Sequence, residues 1–222
     1  MKIYVVGAEN RIEELKQKLS TLEISKITSG PAYGSNTDFD IIIDLNFDDS
    51  NDNLQYYAEL ENSLVIVSAV KKQLRDAVSK SSKPIKCKLA GLNAFPTFIN
   101  RALWEMSFLN EADENFVLTK LNEINIQAKK VEDRVGMVTP RIILMIINEA
   151  FYTVQEGTAE KSNIDSAMKL GTNYPMGPFE WADKIGIKDV YEGLKAIRED
   201  TGDERYKICP LLKSAYLEDA KH

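Results

Sequence analysis

Short apolar runs alternate with helical stretches through the first half of the chain, and that alternation leaves it few folds. Ile3-Tyr4-Val5-Val6 runs into Gly7-Ala8, and Phe39 to Leu45, Leu64 to Ser68 and Ile85 to Leu92 follow in turn. These runs are short, rich in Val and Ile, and apolar at consecutive positions, which is the pattern of strands buried on both faces. Between them, Arg11 to Ser20 carries Ile12, Leu15 and Leu19 at helical spacing. Asp48 to Glu61 and Lys71 to Ser79 read as further helices. Ile24 to Thr28 is a weaker strand, and Ser29 to Asn36 is a loop by composition. Ala112 to Asn122 reads as a helix on the outside of the sheet, and Ile126 to Val131 as a last strand. Buried strands joined through helices make a parallel sheet covered on both faces. Residues 1–133 are therefore expected to form a small doubly wound α/β domain.

The second half carries no strand pattern. Pro140 to Glu156 is apolar almost all round, so it is expected to be buried on several sides, by its own neighbours or by a second subunit. Gly157-Thr158-Ala159 ends it. Asn163 to Trp181 reads as a helix, a stop and a second helix. Ser162 or Asn163 is the expected cap, Gly171 the expected C-terminal stop, and Pro178 suits the first turn of the next helix. Ile187 to Glu199 is amphipathic through Val190, Leu194 and Ile197, and Tyr206 to Ala220 closes the chain. Residues 134–222 are expected to be all-α.

Charge and cysteines exclude several functions. The net charge of −6 argues against a nucleic-acid partner, which needs a clustered positive surface. No apolar run approaches the roughly 18 residues of a membrane span, and Met1-Lys2-Ile3 opens no signal peptide. Cys87 and Cys209 match no metal spacing, so no metal is expected, and free thiols suit a cytoplasmic protein. The only histidine is His222, the last residue, which rules out an internal imidazole base.

Asp165-Ser166-Ala167-Met168-Lys169-Leu170-Gly171, followed by Tyr174-Pro175-Met176-Gly177-Pro178-Phe179-Glu180, resembles the C-terminal domain of the 3-hydroxyacyl-CoA dehydrogenases. Pro210-Leu211-Leu212 resembles that family's usual ending. The resemblance implies a Rossmann-like domain followed by a helical domain that dimerises. It also implies an acyl-CoA-like substrate, NAD as cofactor, and a place in fatty acid metabolism. The N-terminal domain is a shortened version, because the family's long helical insertion after the second strand has only Ser29 to Asp38 in its place.

The family's working positions can be located one by one. The dinucleotide loop would be Gly7-Ala8, but Glu9 and Ile12 stand where the second and third glycines of the fingerprint belong. The acidic residue expected to end the second strand is not evident, since Glu23 precedes that strand. Ala90-Gly91-Leu92-Asn93-Ala94-Phe95-Pro96, with Glu105 beyond, resembles the segment G-L-H-F-F-N-P…E, whose histidine is the general base and whose glutamate orients it. Asn93 takes the histidine position and Glu105 the glutamate position. Glu105 can alternatively be satisfied by Arg101 or a backbone N–H. The serine that would bond the substrate oxygen falls near Lys72, and nearby Ser68 lacks the family's N-T-S-S setting. Gly136 to Arg141 resembles G-F-x-x-N-R, with Pro140 in the asparagine position. Two functions follow as expectations. One is a weak or inactive dehydrogenase, a pseudoenzyme using what Asn93 and Glu105 can still do. The other is a non-catalytic binding or assembly protein that pairs with an active homologue.

Overall fold

The apolar runs pair into one sheet of seven strands among the described residues. They are β1 (Ile3–Val6), β2 (Lys26–Ile27), β3 (Ile41–Asp44), β4 (Leu64–Ser68), β5 (Lys88–Leu92), β6 (Leu103–Phe108) and β7 (Gln127–Lys130), in the order β2-β1-β3-β4-β5-β6-β7. The structure is a computed structural model that describes residues 2–20, 26–27, 39–61 and 63–219. It divides into two units, Met1–Met137 and Val138–His222.

In the first unit β1 to β5 are parallel. β6 runs antiparallel to β5, and β7 runs parallel to β6. The period-2 alternation of a strand sorts side chains into two cores. Ile3, Val5, Ile41, Ile43, Leu64 and Ile66 face α1 (Glu9–Lys18) and α4 (Glu114–Glu123), through Ile12, Leu15, Val117 and Leu121. Tyr4, Val6, Ile42, Val65 and Val67 face α2 (Leu54–Tyr57) and α3 (Leu74–Ser79), through Leu54, Tyr57, Leu74 and Ala77. The expected shortened Rossmann-like domain is therefore present, with two reversed strands added at one edge.

Several boundaries differ from the sequence reading. The helix expected over Asp48 to Glu61 shrinks to the single turn α2. Its first half, Asp48-Asp49-Ser50-Asn51-Asp52-Asn53, consists of residues whose side chains compete with the helix for backbone groups. Ser50 Oγ, for one, donates to Asp52 and accepts that residue's own N–H. α3 begins at Leu74 rather than Lys71, and Asp133 caps it by accepting the Leu74 and Arg75 N–H groups at 2.8 and 3.1 Å. β6 was not read from the sequence at all. The expected loop Ser29 to Asn36, and His222, lie outside the described residues.

The second unit contains α5 (Thr139–Gln155), α6 (Lys161–Thr172), α7 (Pro178–Ile185), α8 (Ile187–Thr201) and α9 (Pro210–Asp219). α5 is the hub, packed against the other four. It buries Ile143, Leu144, Ile147, Ala150 and Phe151. It is not buried all round, however, since Ile142 is 56% exposed. Arg141, Ile142, Met145, Ile146 and Glu149 of α5 line an open groove of about 570 Å3 together with Arg205 and Tyr206. Asn148, inside the hub, ties down the last segment: its amide donates to Lys207 O and accepts the Cys209 N–H, both at 2.9 Å. No helix among the described residues is long and apolar enough to cross a membrane.

The helix–stop–helix corner forms, but with other end residues. α6 starts at Lys161 after Glu160, so neither Ser162 nor Asn163 caps it. It passes through Gly171 and stops at Asn173, which takes the left-handed conformation at φ 56°. Asparagine tolerates that region better than other non-glycine residues, so the stop did not need the glycine. Pro178 opens α7 as expected.

Candidate functional site

The β1–α1 turn carries Gly7 and Ala8. A Cβ on Gly7 would lie 2.9 Å from Leu45 Cβ, so close packing against the chain beyond β3 requires a glycine there. The Ala8 N–H donates to Asn46 Oδ1 at 3.0 Å. Glu9 sits in the first turn of α1, where its charge complements the helix dipole. Its side chain is 72% exposed, 3.8 Å from Lys16 Nζ. Ile12 is buried in the core. Arg11, 4% exposed, donates from Nη1 to the Leu45 carbonyl and pairs with Asp49 at 3.3 Å.

Two buried carboxylates follow at the C-terminal edge of the sheet. Asp44 ends β3 and accepts the Tyr57 hydroxyl at 2.9 Å, the Asn53 amide at 3.1 Å and the Asn46 N–H at 3.0 Å. Burial pushes its carboxyl above the usual range, against the pull of those donors. Asp48 accepts the Val70 and Lys71 N–H groups at 2.9 and 2.8 Å, while its own N–H donates to Ser68 Oγ at 2.9 Å. Burial raises its carboxyl too. Ser68 is therefore a link between the β3 and β4 loops. Lys72 lies with its ammonium 5.4 Å from the Phe47 ring centre, and burial lowers its pKa from the usual lysine value. Elsewhere in this unit, Cys87 is buried, and that burial pushes its thiol up to about 12.

Asn93 and Glu105 are brought together. β5 and β6 are antiparallel, and just past their last pair, Leu92 with Met106, the Asn93 N–H donates to the Glu105 carbonyl at 3.2 Å. Asn93 is 4% exposed, and its Oδ1 has no hydrogen-bond partner among the described residues. Glu105 is also in register with Lys129 on β7. Arg101, the alternative partner for Glu105, donates from Nε to the Thr97 carbonyl at 2.8 Å. The following loop is held from outside: Glu14 of α1 accepts the Thr97 and Asn100 N–H groups at 2.8 and 3.0 Å. Thr97 takes φ 76°, a conformation that a β-branched residue rarely adopts. Pro140, in the second unit, is the second residue of α5 and serves as its opener.

Sequence reasoning missed Arg11, Asp44, Asn46, Asp48 and Glu14. An arginine beside Ile12 on the apolar face of α1 was a readable signal. So was a carboxylate ending the run Ile41-Ile42-Ile43-Asp44. Asn46 stands between the apolar Leu45 and Phe47, and Glu14 between Glu13 and Leu15, but neither local pattern says which backbone N–H the side chain meets.

Comparison with known proteins follows the same division. The model of the 3-hydroxyacyl-CoA dehydrogenase C-terminal domain matches residues 136–221. A probable 3-hydroxybutyryl-CoA dehydrogenase of Bacillus subtilis is 40% identical over 97 residues, covering 44% of this chain and 34% of that protein. A 3-hydroxybutyryl-CoA dehydrogenase of Clostridioides difficile is 29% identical over 197 residues, covering 85% of this chain and 69% of that one. The crystal structure of an (S)-3-hydroxybutyryl-CoA dehydrogenase from Ralstonia eutropha superposes with a TM-score of 0.75 at 20% identity, covering 98% of this chain and 94% of that one. The matches to the first two curated relatives span about a third of their length, 34% and 33%.

Proposed function

The chain belongs to the 3-hydroxyacyl-CoA dehydrogenase family, and from that premise we propose that it is a member in which hydride transfer is weak or lost. The observation that carries this is Asn93. Oxidising a 3-hydroxyl needs a group that takes the hydroxyl proton as the hydride departs, and the family resemblance puts a histidine there. A carboxamide donates and accepts hydrogen bonds but has no proton affinity near neutral pH. The chain's one histidine, His222, is its last residue. Glu105, next to Asn93 across the β5–β6 pair, would then have no imidazole to orient. The departures at Lys72 and Pro140 point the same way. An acyl-CoA-like small molecule remains the substrate or ligand class that the family suggests.

A general base contributes about 10²- to 10⁴-fold to such a step. We therefore expect this chain to reduce acetoacetyl-CoA with NADH at least about 100-fold more slowly than the Clostridioides difficile relative assayed beside it. Turnover within tenfold of that relative would sink the proposal.

The second domain favours a compatible role in association. The exposed face of α5, with Ile142, Met145 and Ile146 along an open groove, suits a homodimer through this domain, or pairing with an active homologue. The thiols Cys87 and Cys209 are both buried and free, which suits a reducing, cytoplasmic setting.

A further inference from the structure

We infer that the crevice at the switch point of the sheet is clasped shut by the chain's own groups, so that the first domain takes no dinucleotide. This rests on the reading above and names the cofactor half of the loss. In a doubly wound sheet the nucleotide sits beyond the carboxyl ends of the strands, where the strand order reverses. Here the order reverses at β1, with β2 on one side and β3 on the other. The crevice therefore lies between the Gly7-Ala8 turn and the Leu45-Asn46 turn.

Four features of that crevice do not fit a bound pyrophosphate. Its oxygens would need the N–H groups of the turn, but the Ala8 N–H is already accepted by Asn46 Oδ1 at 3.0 Å. Close approach of the phosphate needs a bare backbone, yet the glycine that remains, Gly7, is taken up by Leu45, whose Cβ lies 2.9 Å from where a Cβ of Gly7 would be. The third glycine would let α1 close onto the sheet, but Ile12 fills that position in the core. The positive end of α1 would meet the anion, but Glu9 in its first turn already supplies a negative charge. Arg11 completes the clasp, tying the start of α1 to the Leu45 carbonyl and to Asp49.

The test uses the full chain and separates the clasp from catalysis. Calorimetric titration of the native protein with NADH, without acyl substrate, should give no saturable heat up to about 1 mM, the upper end of ordinary substrate affinities. Saturable binding below that concentration would overturn the inference. The clasp has its own readout in Ala8 amide exchange, followed by NMR. Asn46→Ala should speed it about fivefold, the effect of losing one net hydrogen bond, and an unchanged rate would overturn the clasp whatever NADH does. Finally, Asn93→His alone should stay silent in the acetoacetyl-CoA assay. If it gains activity, the clasp is wrong while the loss of the base is upheld.

Discussion

Asp165 Oδ1 accepts the Phe179 N–H at 2.8 Å, so a side chain of α6 caps the first turn of α7. The same carboxylate explains Gly177, because a Cβ there would lie 2.3 Å from Asp165 Cγ. Glu180 closes the turn from the other side, with Oε2 accepting the Gly177 N–H at 2.9 Å, and it also pairs with Lys169. The residues of the stretch by which the chain is recognised, Asp165, Lys169, Gly177, Pro178 and Glu180, thus build a corner. Asp165→Ala should destabilise the second domain by about 1–2 kcal/mol, the usual cost of a lost cap. Gly177→Ala, which pushes a methyl group into Asp165, should cost about 1–3 kcal/mol. Urea unfolding followed by the fluorescence of Trp181, a residue of α7, reads both. Variants as stable as the native chain would show that the corner is held by something else. At this scale the sequence was readable by wording and opaque by mechanism. The motif was visible, but that Asp165 reaches Phe179 depends on how α6 and α7 meet.

Helix ends were the least readable level of the elements, and α6 shows why. Gly171 looked like the stop because glycine adopts positive φ without steric cost. In the structure it lies inside the helix with nothing within 4 Å of where a Cβ would be, and Asn173 makes the stop at φ 56°. The two readings predict opposite signs. As a stop, Gly171→Ala would cost about 1 kcal/mol; inside an exposed helix it should add roughly 0.5–1 kcal/mol. Thermal unfolding of that variant decides, and a fall in stability would restore Gly171 as the stop. β6 was missed although Trp104, Met106 and Phe108 alternate with Glu105 and Ser107 over Leu103–Phe108. That pattern is short, and a glutamate in the middle of it hides the strand. The overlong helix after β3 failed for a different reason: side chains such as Asp48 hold neighbouring loops instead of extending α2.

At the scale of the molecule, the association reading turns on the outer face of α5. A helix with Ile142 more than half exposed, beside Met145 and Ile146, leaves apolar area open to water. The native chain is expected to sediment as a dimer, and Ile142→Glu to shift it to monomer by placing a charge in the contact. A native monomer at every concentration would remove the dimer. The sequence by itself determined the two-part architecture, because strand-length apolar runs and long amphipathic stretches have different periods and cannot exchange roles. It also determined that Asn93, and no histidine, follows β5, which bears directly on the chemistry. Only the tertiary structure decided where the polar groups of the first domain go. Ala8 meets Asn46, Arg11 meets Leu45 and Asp49, and Glu14 meets Thr97 and Asn100. Each of these contacts joins segments far apart in the chain. Periodicity records which face of an element is apolar, but a hydrogen bond depends on distance and angle in the folded state, and no local pattern carries those.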